Sequence, residues 1–399
     1  MSTPPVPSVP RVLRPRRAAP DDAVRPTRAD INLASLRHNL RVVQRHAGAA
    51  KVWAVLKADG YGHGAPALAR TLERARVDGF CVALVEEAVE LREAGIAAPI
   101  MVMGGHYTNA YDEVLARGFV PVVHDLGQVA AFARIVRSGA YRAPVDAHLK
   151  VDTGMARLGV TMQKLPDLVA GLGQHPEVRI RGLMTHLACA DAASSEPTAE
   201  QLRLFEEATA ILARAGMYPE ERHAANSAAL LRGQGLYDAV RPGIALFGVA
   251  PRVDGAPLSA ELKPVMRVRT EIVALRDVEA GASIGYGATW TAPRPSRVAT
   301  LPMGYADGLS RHLGNRGHVL IRGKRAPIVG AVSMDMTMVD VSAVDGAALR
   351  DEVVVLGAQD GPLGKGSIGA DEIAEHAGTI PWEVLTSVSR RVPRFYRDP

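Results

Sequence analysis

Lys57 ends the apolar stretch Ala54-Val55-Leu56 and opens the run Ala58-Asp59-Gly60-Tyr61-Gly62-His63-Gly64. An amine at the end of a buried strand loses hydration, so its charged form is disfavoured. The neutral form is a nucleophile that condenses with carbonyl groups. A lysine running its aliphatic stem over an apolar edge would look the same. Gly60, Gly62 and Gly64, with Tyr61 among them, favour the reactive reading, because they let the backbone approach a bulky ligand. Other groups carry less. His63, His106 and His124 have no partners at metal-ligand spacing and read as core or surface histidines. Asp307 and Asp335 could form a carboxylate pair, but nothing else supports hydrolysis. Glu86-Glu87 with Arg92 reads as a solvated helix face.

Lys57 needs a scaffold that presents strand ends at one mouth. From Ala29 to about Leu262, apolar runs alternate with Ala-, Glu- and Arg-rich stretches of helical spacing. The runs are Val52–Leu56, Gly79–Leu84, Pro99–Met103, Phe119–Val123, Ala147–Val151, Ile180–Thr185 and Ile244–Gly248; the helical stretches include Gly64–Arg74, Glu86–Ala94, Gly127–Ser138 and Thr198–Ala215. That rhythm implies parallel strands with crossover helices. About eight repeats over some 230 residues fit a (β/α)8 barrel, whose active site lies at the C-terminal ends of its strands. Beyond Leu262 the candidate strands Val265–Leu275, Arg297–Leu301, Gly317–Ile321, Ala326–Val329, Met336–Val341 and Glu352–Leu356 are punctuated by Gly and Pro, and one helix candidate, Ala370–His376, follows. The fold class is therefore α/β: an N-terminal (β/α)8 barrel over 29–262, then a C-terminal mostly-β domain over 263–399.

Composition narrows the function. The 399 residues are 47% hydrophobic and carry a formal charge of +5. Residues 1–28 hold six Arg against Asp21 and Asp22, so this Pro/Arg-rich stretch accounts for +4 and reads as a disordered tail. The remaining body, near +1, has no strong footprint for nucleic acid. Cys81 and Cys189 alone make a disulfide scaffold untenable and fit a reducing, cytoplasmic compartment. No apolar run reaches the roughly 18 residues that span a bilayer, so no membrane partner is expected.

The segment Val55-Leu56-Lys57-Ala58-Asp59-Gly60-Tyr61-Gly62-His63-Gly64 resembles the cofactor-lysine motif of the alanine racemases, which are pyridoxal 5′-phosphate (PLP) enzymes. Further segments match in order: 148–159 (HLKVDTGMARLG), 184–188 (MTHLA), 225–227 (ANS), 240–248 (VRPGIALFG), 284–289 (IGYGAT), 304–308 (GYADG) and 333–335 (SMD). The resemblance covers about residues 28–396. It implies a PLP-binding barrel, a β domain, and a homodimer in which the second domain completes the partner subunit's active site.

The resemblance also implies roles. Lys57 would hold PLP and serve one face of the substrate, with Tyr286 of the partner subunit on the other. A tyrosine is a poor base at its ordinary pKa of about 10 and needs cationic neighbours, expected to be His186 and Arg241. Taken alone, Tyr286 would read as a strand tyrosine packed on a core. Arg241 would face the pyridine nitrogen, where it cannot accept a proton; its bland reading is a surface salt bridge. Tyr61, Ser227 and the amides of Gly243 and Ile244 would bind the phosphate, and Asn226 joins that cofactor set. Ser227 could instead be a helix cap. Arg157 would contact the cofactor and orient substrate, and the Met334 amide would receive the substrate carboxylate, although its side chain reads as core filler. Lys150 aligns with a lysine often carbamylated in the family. Tyr305 and Ile380 would line the entrance. Trp382 stands where a tyrosine is usual near the phosphate; an indole donates one hydrogen bond and accepts none.

The leading function is thus racemisation of alanine, supplying D-alanine for peptidoglycan. The alternative is a broader-specificity amino-acid racemase of the same fold, which Trp382 keeps open. A PLP decarboxylase would more naturally place an acid where Arg241 stands. A non-catalytic PLP carrier would lack the domain that bears Tyr286 and Met334.

Overall fold

The computed structural model describes residues 23–105, 110–139, 141 and 143–398. The tail expectation up to residue 22, and His106, lie outside the described residues.

Eight parallel strands surround the first core: Lys51–Val55, Gly79–Val82, Ile100–Val102, Val120–Val123, Val145–Asp152, Val178–Met184, Glu221–His223 and Ala239–Val240. Helices cover their outer face, so the middle strands are buried on both sides; all residues of Gly79–Val82 and Ile100–Val102 are buried. The ring nearly closes where Arg241 N–H donates to Ala225 O (2.9 Å) and Asp238 N–H to Arg222 O (3.1 Å). The crossover helices follow the expected stripes. Helix Ala65–Arg74 buries Leu68 and Leu72, and helix Glu196–Arg214 buries Phe205, Ala208 and Leu212.

The last two strands differ from the sequence expectation. Ile244–Gly248 is not a strand; Ile244–Phe247 forms a 3-10 turn, and Ala239–Val240 closes the barrel. The seventh strand, Glu221-Arg222-His223, is polar and carries no apolar run. Its inward residues are satisfied by side chains: Trp53 Nε1 donates to Glu221 (2.9 Å), and Arg241 reaches His223.

The second domain is built on a sheet ordered Lys324–Pro327, His318–Ile321, Glu352–Gly361, Met266–Glu271, Arg28–Asn32 and Arg394–Arg397. A smaller sheet joins Ala274–Val278, Ser296–Leu301 and Thr337–Asp340. The expected single strand 265–275 is therefore split between two sheets. Arg28–Asn32 is not a barrel strand, although the alternation was read from Ala29. It pairs antiparallel with Met266–Glu271 and parallel with Arg394–Arg397. The cause is local charge: buried Asp30 meets Arg269 at 2.9 Å, Arg28 and Arg397 at 3.4 Å and Arg267 at 3.5 Å. Upstream, Arg25 forks onto Asp307 at 2.7 and 3.0 Å and Thr27 is fully buried, so the chain is ordered before residue 28. Two C-terminal elements had no signal in the sequence: helix Pro381–Ser387 and strand Arg394–Arg397.

Candidate active site

Five consecutive residues after Lys57 have left-handed backbone: Ala58 (φ 51°), Asp59 (φ 57°), Gly60 (φ 61°), Tyr61 (φ 52°) and Gly62 (φ 79°). For Ala58, Asp59 and Tyr61 this costs about 1–2 kcal/mol each. The surroundings must hold the turn. Glu87 does so on one side: its carboxylate accepts from Ala58 N–H (2.6 Å), Ala83 N–H (2.8 Å) and Leu84 N–H (3.1 Å). Glu87 is thus not part of a solvated face. Nor is Arg92, which donates to Ala98 O at 3.2 Å; Glu86 is exposed. His63 is fully buried and lies 4.6 Å from the Phe247 ring, with Tyr61 on the same phenylalanine at 4.7 Å.

Burial, and then Arg157, lower the Lys57 pKa, while Glu87 opposes the shift. Burial pushes the Tyr61 phenol upward, so it remains a neutral donor. Its hydroxyl sits where a side chain on residue 243 would be: a Cβ on Gly243 would lie 2.3 Å from Tyr61 Oη. Ser227 Oγ accepts from Gly243 N–H (2.9 Å) and Ala245 N–H (3.3 Å). Ser227 is not the helix cap; Asn226 is, accepting from Ala228 and Ala229 N–H at 3.1 Å. Tyr61, Ser227, Gly243 and Ile244 therefore form one small-residue cradle at a chain turn, suited to an anion.

Arg241 is buried and not in a surface salt bridge. It donates to His223 Nδ1 (2.6 Å), His223 O (2.8 Å), Thr185 O (2.6 Å) and Ala224 O (3.2 Å). Burial lowers its pKa to about 10, which leaves it charged at neutral pH. Lys150 is buried beside it. Burial, then Arg241 and Arg157, lower the Lys150 pKa to about 8. Arg157 follows a turn built on Asp152, whose Oδ1 accepts from Gly154, Met155 and Ala156 N–H at 2.9–3.0 Å. Burial and then Arg241, Lys150, Arg157 and Lys57 lower the His186 pKa to about 3. His186 is thus neutral, unlike the cation expected of it, and the site's positive charge resides on the arginines and lysines. Such a concentration of cations suits a ligand with phosphate and carboxylate groups.

The second domain meets the site at Gly62. A Cβ there would lie 2.4 Å from Leu385 O, so helix Pro381–Ser387, carrying Trp382, seats directly on the Lys57 turn. Ile380, at the start of that helix, is exposed. The Tyr305 and Met334 loops are joined by Tyr305 N–H to Ser333 O and Ala306 N–H to Met334 O, each 3.0 Å. Tyr286 is 74% exposed. Among the described residues no hydrogen bond or ring contact ties it to its own barrel. Asp307 and Asp335 are not a catalytic pair: Arg25 holds the first, and Arg391 holds the second at 2.8 Å.

Residues 31–251 match the alanine racemase N-terminal domain, and residues 265–396 match the alanine racemase C-terminal domain. The chain belongs to the alanine racemase family. An alanine racemase of Sorangium cellulosum is 61% identical over 383 residues, 94% of this chain and 100% of that protein. The alanine racemase structure from Streptomyces lavendulae shares 31% identity with a TM-score of 0.87 over 94% of this chain and 98% of its own. That from Bartonella henselae, described with covalently bound pyridoxal phosphate, shares 30% identity with a TM-score of 0.82 over 93% of this chain and 99% of its own. This chain thus carries both domains of the alanine racemase family.

Proposed function

We propose that this chain interconverts L- and D-alanine with PLP held by Lys57. The observation that carries the reading is the gathering, at one barrel mouth, of the desolvated Lys57 amine, the neutral Tyr61 phenol and the Ser227–Gly243 cradle. The covalently bound pyridoxal phosphate of the Bartonella relative supports the same cofactor here. When bound, PLP withdraws charge from the α-carbon of an amino acid and so acidifies its proton.

The chain's own residues do the rest. Lys57 holds the cofactor and moves the proton on one face. Tyr61, the Ser227 hydroxyl and the Ile244 amide would donate to the phosphate; the Gly243 amide, which donates to Ser227 Oγ at 2.9 Å, would orient that hydroxyl, and Asn226 fixes the helix start that positions them. Trp382 adds one donor where the family usually has a tyrosine. Arg241 would face the ring nitrogen as a permanent donor, so that nitrogen would accept and stay unprotonated, which would limit delocalisation onto the ring and disfavour side reactions. Arg157 and the Met334 amide hold the substrate carboxylate. Lys150, lowered to a pKa of about 8, has the neutral fraction that carbamylation requires, and a carbamate would balance Arg157.

The second face needs a group from outside the subunit. Tyr286, Tyr305, Met334 and Ile380 all lie exposed on the second domain. Exposed apolar side chains gathered on one domain support a protein interface, and we assign it to a homodimer in which Tyr286 of the partner subunit serves that face. The product D-alanine would feed peptidoglycan in the cytoplasm, a reading that rests on the family alone.

The test is incubation with single L-amino acids in deuterated water. Chiral analysis should show D-alanine carrying deuterium at the α-carbon, with other amino acids slower. Deuterium exchange without inversion would refute racemisation. Equal rates on bulkier amino acids would favour the broader racemase, to which Trp382 points.

A further inference from the structure

Backbone amides satisfy the first carbonyls of the left-handed turn after Lys57: Gly62 N–H donates to Ala58 O (2.9 Å), Gly64 N–H to Asp59 O (2.9 Å) and His63 N–H to Gly60 O (3.1 Å). From Gly60 O onward, side chains reach the carbonyls in succession. His63 Nδ1 lies 3.1 Å from Gly60 O and 2.9 Å from Tyr61 O. Both partners are acceptors, so Nδ1 carries the ring proton. Its Nε2 is buried with no hydrogen-bond partner, so within the described structure the ring's hydrogen bonding is directed to those two carbonyls. The next carbonyl, Gly62 O, accepts from both Arg394 Nε (3.0 Å) and Arg394 Nη2 (2.8 Å). The one after, His63 O, accepts from the Tyr396 hydroxyl at 3.2 Å.

Arg394 and Tyr396 belong to the strand that pairs with Arg28–Asn32, at the far end of the sequence from Lys57. The Arg394 guanidinium also donates to Val388 O and Val392 O, both at 2.6 Å, and to Ser389 O, which fixes the chain just after helix Pro381–Ser387. One buried planar fork thus ties the Lys57 turn to the segment following the helix that presses on Gly62. Lysine could not reproduce this, because it offers a point charge and no rigid fork.

We propose that Arg394, seconded by Tyr396, is a positioning residue for Lys57: by clamping Gly62 O it holds the left-handed turn that aims the Lys57 amine and the Tyr61 hydroxyl, so cofactor retention depends on the C-terminal strand. This rests on the reading of Lys57 as the cofactor lysine. Release of the clamp lets residues 58–62 relax toward ordinary backbone, which moves both groups together. The consequence falls on cofactor binding before it falls on turnover, because substrate chemistry at saturating cofactor uses the same groups once they are seated.

The full-length dimeric enzyme serves for the test, with Arg394→Gln, Arg394→Lys and Tyr396→Phe. Amide hydrogen exchange without cofactor reads the turn directly, and titration with PLP reads its affinity. In Arg394→Gln, exchange over residues 60–65 should rise and PLP should bind roughly tenfold more weakly, the effect of losing hydrogen bonds from a charged donor. Catalytic turnover at saturating PLP should fall less. Arg394→Lys should lie between this variant and the unaltered enzyme. Unchanged exchange in the turn, or faster exchange spread evenly over the chain, would overturn the proposal. If Arg394→Gln does not fold, Tyr396→Phe decides: a local rise in exchange supports the clamp, and none overturns it. Lys57→Ala separates the two levels. If that variant still binds PLP covalently, the cofactor-lysine reading fails. If it does not, but Arg394→Gln holds PLP normally, only the clamp fails.

Discussion

Arg241 Nη1 donates to His223 Nδ1 at 2.6 Å, and this contact fixes the protons behind it. A guanidinium offers no lone pair, so His223 Nδ1 is bare and its Nε2 carries the proton. That proton points to His148 Nδ1, 2.8 Å away, which must accept it. Both rings are then neutral. Burial, with Arg241 next, holds His223 well below its ordinary pKa and His148 at about 3. The arginine keeps its charge because everything it touches accepts.

Neutral buried histidines make the protein sensitive to acid. His63 (about 4), His148 (about 3), His186 (about 3) and His223 all have lowered pKa values in the fold. Below pH 6.5 the unfolded chain takes up protons that the folded chain refuses, so stability falls as the pH drops. Each group contributes up to about 1.4 kcal/mol per pH unit over that range. The melting temperature of the cofactor-free protein should therefore decline steeply between pH 7 and pH 5, above the range where carboxylates titrate. His223→Asn should show a shallower decline. A flat profile across that interval would contradict the tautomer chain.

Glu87 anchors the Lys57 turn and opposes the lowering of the Lys57 pKa. Glu87→Gln removes that charge, so Lys57 should lose its proton more readily. The acidic limb of the kcat profile, which reports the Lys57 amine once substrate has displaced it from the cofactor, should move to lower pH. An amide oxygen is also a weaker acceptor for the amides of Ala58, Ala83 and Leu84, and the loss should be about 2 kcal/mol of stability. Profiles and melts of the two proteins check both effects. An acidic limb that moves the other way would show that Glu87 does not govern Lys57.

Lys150 should carry a carbamate. With carbon-13 bicarbonate, the carbon NMR spectrum should show one sharp carbamate resonance, absent from Lys150→Arg. The signal should weaken as the pH falls below about 8, where the amine protonates. No such resonance at high bicarbonate would leave Lys150 a bare amine.

The barrel was readable in the sequence where its strands are buried on both faces, because apolar runs then mark them directly. It was unreadable at Glu221–His223, where side-chain hydrogen bonds replace apolar contact, and at Ile244–Phe247, an apolar run folded as a 3-10 turn. Lys57 and Tyr61 were legible because glycines surround them; Gly243 was found by resemblance. Glu87 and Arg394 were not. Their work is done on backbone groups that come close only after folding, and a charged residue within a helix or a terminal strand gives no local sign of it. Tyr286 was found by resemblance, and its exposure in one subunit has no sequence signal at all.

That exposure sets the last prediction. If Tyr286 works across a two-fold dimer, the residues of one active site are encoded on two chains. Lys57→Ala and Tyr286→Phe homodimers should each be strongly impaired, Tyr286→Phe by about 10²–10⁴-fold on one face. After unfolding and refolding as an equal mixture, half of the dimers should be mixed. Each mixed dimer then has one site with both native residues and one with neither, so about a quarter of all sites should be native. Activity should recover to about that fraction of the unaltered enzyme. If the two residues instead serve the same subunit's site, every chain in the mixture stays defective. Activity in the mixture no greater than the mean of its parents, with mixed dimers demonstrated by native mass spectrometry, would place Tyr286 outside the partner's site.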